Sequence, residues 1–162
     1  MLSEESHRLF VMHDLEGHYP GTHFHHWPQH IILTPLLVPK PGLTRAEVFG
    51  CITDTLSSVS PFYIKAGELA LYGRNNDIPV IEIEDETGRL REVHSSLIEN
   101  LGSLGCYFDS LEHSLSRYSP HVKSKPINLL SDQPYLVTSV TIGEKLPKIF
   151  HMPKKILKKI EL

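Results

Sequence analysis

The spacing of apolar positions along the chain changes several times, and each change marks a predicted element. Leu9-Phe10-Val11-Met12 is a short apolar run that predicts a strand entering the core. A loop rich in Gly, Pro and His follows from Glu16 to Gln29. The β-rich stretch His30-Ile31-Ile32-Leu33-Thr34-Pro35-Leu36-Leu37-Val38 then predicts a second strand, with Pro35 placing it at an edge or breaking it. Thr44-Arg45-Ala46-Glu47 has the spacing of a capping box, so a helix is expected to start there, with Val48, Phe49, Ile52 and Leu56 as its apolar stripe. Phe62 to Leu71 and Ile78 to Glu84 read as two strands joined by the turn Gly73-Arg74-Asn75-Asn76-Asp77. Leu90, Val93, Leu97, Leu101 and Leu104 recur at helical spacing, and Gly105 is placed to stop that helix.

Residues 106–119 carry no clear period. Pro120-His121-Val122-Lys123-Ser124 reads as a short strand and Tyr135 to Ile142 as a β-branched one. From Lys145 to Leu162 six lysines surround Ile156, Leu157 and Ile160, which predicts a solvated terminal helix with RNA or an acidic partner as a second reading. The element order describes two similar halves, each a helix beside antiparallel strands. It predicts an α+β fold rather than a doubly wound sheet.

Composition narrows the function classes. The chain has 162 residues, 40% hydrophobic and 22% charged, as expected for one folded domain over 1–162. A formal charge of -3 argues against a broad basic face for long duplexes, so any nucleic-acid ligand is expected to be short. Cys51 and Cys106 are far apart, as core thiols of a reducing compartment would be. The amino terminus lacks a basic start and an apolar run, and no stretch reaches membrane-spanning length; a cytoplasmic protein with no membrane partner is expected.

Histidine is in excess: 11 in total, seven of them within the first thirty residues. His23 and His25 could face one way and His30 could add a third metal ligand. Against this, no carboxylate or cysteine spacing completes a recognisable metal motif, so no metal is expected there. A loop bordering a cleft, with Trp27 or Phe24 stacking on a base, is the alternative, as is Trp27 packing on the core. Tyr72 and Tyr118 could flank the same cleft, and His94, inside the second helix, is expected to be structural.

Pro28-Gln29-His30-Ile31-Ile32-Leu33 and Ser119-Pro120-His121-Val122-Lys123-Ser124 resemble the two H-x-[T/S]-x motifs of the two-histidine (2H) phosphoesterase superfamily, which includes 2',5' RNA ligases and cyclic nucleotide phosphodiesterases. The element order and the gap of about ninety residues between the histidines extend the resemblance over nearly the whole chain. The resemblance implies a bilobal, pseudo-twofold fold of two antiparallel sheets with flanking helices around a central cleft. It also implies metal-independent chemistry on 2',3'-cyclic or 2'-5'-linked phosphates; a short RNA end or small nucleotide as substrate, no cofactor and a monomer are expected. His30 and His121 would be the catalytic pair, one removing a proton and the other delivering one.

The hydroxyl position two beyond each histidine departs from the family's pattern, being Ile32 and Lys123. Lys123 could hold a phosphate oxygen as a point charge, whereas Ile32 cannot donate at all. Thr34 shares the face of His30 but lies about 13 Å along an extended strand, out of reach of the same phosphate without a bulge, and Ser124 is expected on the opposite face. Ile32, Thr34, Ser124, Lys123, Trp27 and Tyr118 are the expected substrate-binding positions. Ile32 keeps open a non-catalytic RNA- or nucleotide-binding domain, and the histidine loop keeps open a metal-dependent hydrolase.

Overall fold

The computed structural model describes residues 7–146 and 154–162. The elements are β1 (Arg8–Asp14), β2 (His23–Phe24), β3 (His30–Ile32), β4 (Leu37–Pro39), α1 (Arg45–Leu56), β5 (Phe62–Tyr72), β6 (Ile78–Glu84), α2 (Arg89–Leu104), β7 (Cys106–Phe108), β8 (His121–Lys123), β9 (Tyr135–Val137), β10 (Ser139–Lys145) and β11 (Lys154–Glu161). One sheet has the order β2-β11-β10-β1-β4-β7, with β3 also on β1, and the other the order β8-β6-β5-β9. The two helices and two antiparallel sheets make an α+β fold, as the element order predicts.

Alternate residues of β1 explain why its apolar run shows no polar interruption. Leu9 and Val11 enter a core shared by both sheets and both helices, while Phe10 and Met12 join Phe24 and Ile156 in a second cluster. Into the shared core the second sheet sends Ile64, Ile81, Val122 and Val137, and the helices send Ile52, Leu56, Leu90, Leu97 and Leu101. Each such side chain stabilises the fold by about 1.5–3 kcal/mol on burial.

The helix boundaries follow local chemistry. The Thr44 side chain accepts the Glu47 amide, and the Glu47 carboxylate accepts the Thr44 amide at 2.7 Å, completing the capping box. For α2 the cap comes from Asp85, whose carboxylate accepts the amides of Leu90 and Arg91 at 3.1 and 3.0 Å. Gly105 ends the helix at φ 115°, a conformation that other residues adopt only with strain.

Three segments differ from expectation. The stretch His30–Val38 is two strands, because the amides of Leu33 and Thr34 both donate to the Val11 carbonyl, at 2.9 and 3.2 Å, and form a bulge. Tyr135–Ile142 is also two strands: β9 pairs with β5 in one sheet and β10 with β1 in the other. The residues there are β-formers throughout, so the exchange between sheets leaves no local signal. The tail is β11, not a helix, paired with β10 from Ser139↔Glu161 to Lys145↔Lys154. An open edge of β10 overrides a weak helical spacing; residues 147–153 of the expected helix lie outside the described residues.

Candidate active site

β3 and β8 lie against each other where the two sheets meet, and each begins with one of the two motif histidines. In both strands the histidine is half-buried, the next residue (Ile31 or Val122) is buried, and the third (Ile32 or Lys123) is exposed. His30 Nδ1 lies 2.7 Å from the Pro28 carbonyl oxygen, and His121 Nδ1 lies 2.8 Å from that of Ser119. A carbonyl only accepts, so each neutral ring carries its proton on Nδ1 and keeps the Nε2 lone pair free. Each ring also has an aromatic neighbour: Trp27 at 5.1 Å from His30 and Tyr72 at 4.6 Å from His121, between centroids. Each histidine stands directly opposite a carboxylate residue on the adjacent strand, Asp14 for His30 and Glu82 for His121. Opposed residues of antiparallel strands project to one face.

The surroundings of the two rings differ. Asp14 is occupied by the His18 ring at 2.9 Å and by the amides of Glu16 and His18, whereas Glu82 accepts the Tyr72 hydroxyl at 2.8 Å. Burial holds the His30 imidazole below its ordinary 6.5. This outweighs the Pro28 carbonyl and Asp14, which favour the charged ring, and the charges of Lys125 and His121 lower it further. Lys125 is fixed near His30 by donating to the Trp27 carbonyl at 3.0 Å and by Glu16 at 3.5 Å.

Two buried side chains tie each histidine strand to the other. Gln29, just before His30, donates to the Lys123 carbonyl at 3.2 Å and to Asn128 Oδ1 at 2.8 Å, and accepts the Leu129 amide at 2.7 Å. Tyr118, just before the second motif, donates its hydroxyl to the Ile32 carbonyl at 2.7 Å. Each side chain thus grips the residue two beyond the histidine of the opposite strand.

A cavity of about 870 Å³ opens beside His121 between the β3 bulge, the β5–β6 turn and the segment 110–121. Ile32 stands 48% exposed in its wall, an apolar side chain where the family's pattern has a hydroxyl. Thr34 also borders the cavity but is buried with its hydroxyl unpaired, because the bulge interrupts the alternation that would have exposed it with Ile32. Tyr118 forms part of the wall with its ring only 6% exposed, stacked on His94 at 3.8 Å. His94 is structural as expected: its Nδ1–H donates to the Leu33 carbonyl at 2.7 Å and its Nε2 accepts the Leu115 amide at 2.8 Å.

Lys123 is exposed at the end of β8, and Ser124 beyond it is half-buried with its amide on the Pro79 carbonyl at 3.0 Å. Trp27 packs on Phe10 and Phe24 of the second cluster, with centroids at 4.9 and 5.8 Å, and presents another side to His30. His23, His25 and His30 do not converge; among the described residues no three His, Cys, Asp or Glu side chains are placed to hold one metal ion.

Residues 3–122, which include both histidines, match the sequence profile of the 2'-5' RNA ligase superfamily. The chain belongs to this superfamily. Its fold is similar to that of E. coli LigT complexed with NADP+, at TM-score 0.58 and 17% identity over 98% of each chain. It is similar to LigT complexed with 3'-AMP and to a further phosphoesterase, each at TM-score 0.57 and 17% identity over 96% of this chain and 97% of that one. At this identity the likeness is one of fold. None of the curated proteins compared with the chain matches it.

Sequence reasoning missed Asp14, Gln29 and Lys125 around His30, together with Arg74 and Arg117 in the cavity. Asp14 closes the first apolar run and Gln29 adjoins a motif histidine, so position alone could have flagged both. Lys125 and the arginines carry no such signal, because the fold alone brings their segments to the cleft.

Proposed function

We propose that this superfamily member is a phosphoesterase that hydrolyses, or in reverse forms, 2',3'-cyclic or 2'-5' phosphodiester linkages at a short RNA end or in a small nucleotide. His30 and His121 are the proton-transfer pair. The observation that carries this reading is their matched setting: two rings on neighbouring strands, each with Nδ1–H on a backbone carbonyl and Nε2 unengaged among the described residues. The nucleotides in the LigT structures, 3'-AMP, ATP and NADP+, support a nucleotide as the ligand.

In the hydrolytic direction His30 Nε2 takes a proton from water as its oxygen attacks phosphorus. The bond from phosphorus to the ribose oxygen breaks, and protonated His121 delivers its Nε2 proton to that oxygen, leaving a phosphomonoester. Burial favours the neutral, proton-accepting form of His30, and the cavity that can hold the nucleoside lies against His121, on the leaving-group side. The Lys123 ammonium holds a non-bridging oxygen in place of the family's hydroxyl. The chemistry requires no cofactor, and turnover is expected to persist in a chelator. One chain supplies both histidines, which suits a monomer, and the free thiols Cys51 and Cys106 suit the cytoplasm.

A second reading, nucleotide binding without turnover, has the Ile32 side chain in its favour. Hydrolysis of 2',3'-cyclic AMP by the parent and by His30→Ala and His121→Ala separates the two. Each replacement is expected to lower turnover by about 10²- to 10⁴-fold. Undiminished turnover in both variants would refute the paired-histidine chemistry, and binding without product in the parent would favour the second reading.

A further inference from the structure

The chain contains six arginines. Arg8 pairs with Asp109 at 2.7 Å, Arg45 with Glu144 at 2.8 Å and Arg89 with Glu92 at 3.1 Å, while Arg91 donates to the Tyr118 carbonyl at 2.7 Å. The remaining two, Arg74 and Arg117, have no carboxylate or carbonyl partner among the described residues, and both line the cavity beside His121. They come from separate walls, Arg74 from the β5–β6 turn and Arg117 from the short 3-10 turn Leu115–Arg117. Glu112 borders the same cavity but pairs with neither.

In a protein of net charge -3, one concavity is thus bordered by two arginines that no carboxylate engages among the described residues. Like charges sharing a site repel unless an anion lies between them. The guanidinium fork matches phosphate oxygens in bidentate geometry, and such charge-assisted bonds are stronger than neutral ones. His121 borders this cavity and neither Lys123 nor His30 does, so the arginines stand on the His121 side of the pair. Its volume of about 870 Å³ lies high in the range of about 300–1,000 Å³ typical of small-molecule sites. The space is therefore large enough for more of a nucleotide than the reacting group.

We propose that Arg74 and Arg117 form a second anion subsite, so that the preferred substrate carries a phosphate besides the one that reacts. This rests on the reading that a nucleotide enters the cleft, and it adds that a bare nucleoside cyclic phosphate is a poor ligand. The second phosphate is either a 5'-phosphomonoester on the same nucleoside or the internucleotide diester of an RNA end.

Equilibrium titration of the full chain distinguishes these possibilities without depending on turnover. The probes are adenosine 3'-phosphate, adenosine 3',5'-bisphosphate and the dinucleotide ApA 3'-phosphate. They are tested against the parent and an Arg74→Gln/Arg117→Gln variant, which removes no side-chain hydrogen bond or ion pair seen among the described residues. One or both probes with two phosphates should bind the parent roughly 10- to 100-fold more tightly than adenosine 3'-phosphate. That advantage should vanish in the variant, while its affinity for adenosine 3'-phosphate is unchanged. Preference for the bisphosphate identifies a terminal monoester, and preference for the dinucleotide identifies an RNA diester. Equal affinities in the parent, no binding of any probe, or an advantage that survives in the variant would overturn the subsite. Hydrolysis of 2',3'-cyclic AMP, measured alongside, tests the catalytic reading separately: preference for the second phosphate without turnover keeps the subsite and removes the enzyme.

Discussion

The two positions that depart from the family's hydroxyl pattern give the cleft its asymmetry. Ile32 is exposed in the cavity wall with no polar atom to offer, and Lys123 is exposed at the matching position of β8. In the proposed reaction, transition-state charge on a non-bridging oxygen would be met mainly from the β8 side, by a flexible point charge rather than a fixed hydroxyl. Lys123→Ala is accordingly expected to lower kcat/KM about 10²-fold in steady-state hydrolysis of a 2',3'-cyclic nucleotide. An unchanged value would show that the charge is met elsewhere, with Lys125, whose charge acts on His30, as a candidate. The substitutions at both positions are legible in the sequence, since a strand places residues i and i+2 on one face. The fate of Thr34 is not. Its burial follows from a bulge set by two amides converging on the Val11 carbonyl, and neither the Leu33-Thr34 pair nor Pro35 announces that geometry.

At the scale of elements, the relation between β3 and β8 depends on side chains that reach across to the opposite strand's carbonyl. Tyr118 grips Ile32 and Gln29 grips Lys123, so the strands carrying the histidines are held by their +2 residues. Tyr118→Phe removes only the hydroxyl and keeps the ring on His94, leaving the Ile32 carbonyl without its partner. A loss of about 1–3 kcal/mol is expected in denaturant unfolding, together with a fall in kcat larger than any rise in KM as the two imidazoles lose registry. Parent-like stability and kcat would mean that the core alone positions β3. The elements themselves were readable where local chemistry decides them: the Thr44 capping box, the Leu90 stripe and the Gly105 stop all act within a few residues. They were unreadable where pairing decides, as in β11, whose Ile156, Leu157 and Ile160 have helical spacing yet complete the edge of β10.

The whole molecule brings residues about ninety positions apart onto neighbouring strands by giving each sheet one histidine strand and sharing a single core between the sheets. Sequence could place the histidines in matching segments, and the order of elements made two related halves legible. The cavity could not be seen that way, because its walls come from β3, the β5–β6 turn and segment 110–121, which only the folded chain assembles. In the proposed reaction one ring accepts a proton while the other donates one. The pH dependence of kcat/KM for 2',3'-cyclic AMP, measured on the parent, His30→Ala and His121→Ala, reads both events. His30 is held below 6.5, so the fraction of active base rises with pH through a value under 6.5, and the parent profile should climb there. A base and an acid acting together give a bell-shaped profile, so a descending limb should follow at higher pH. His30→Ala should lose the ascending limb and His121→Ala the descending one. Retention of both limbs in either variant would contradict the pairing.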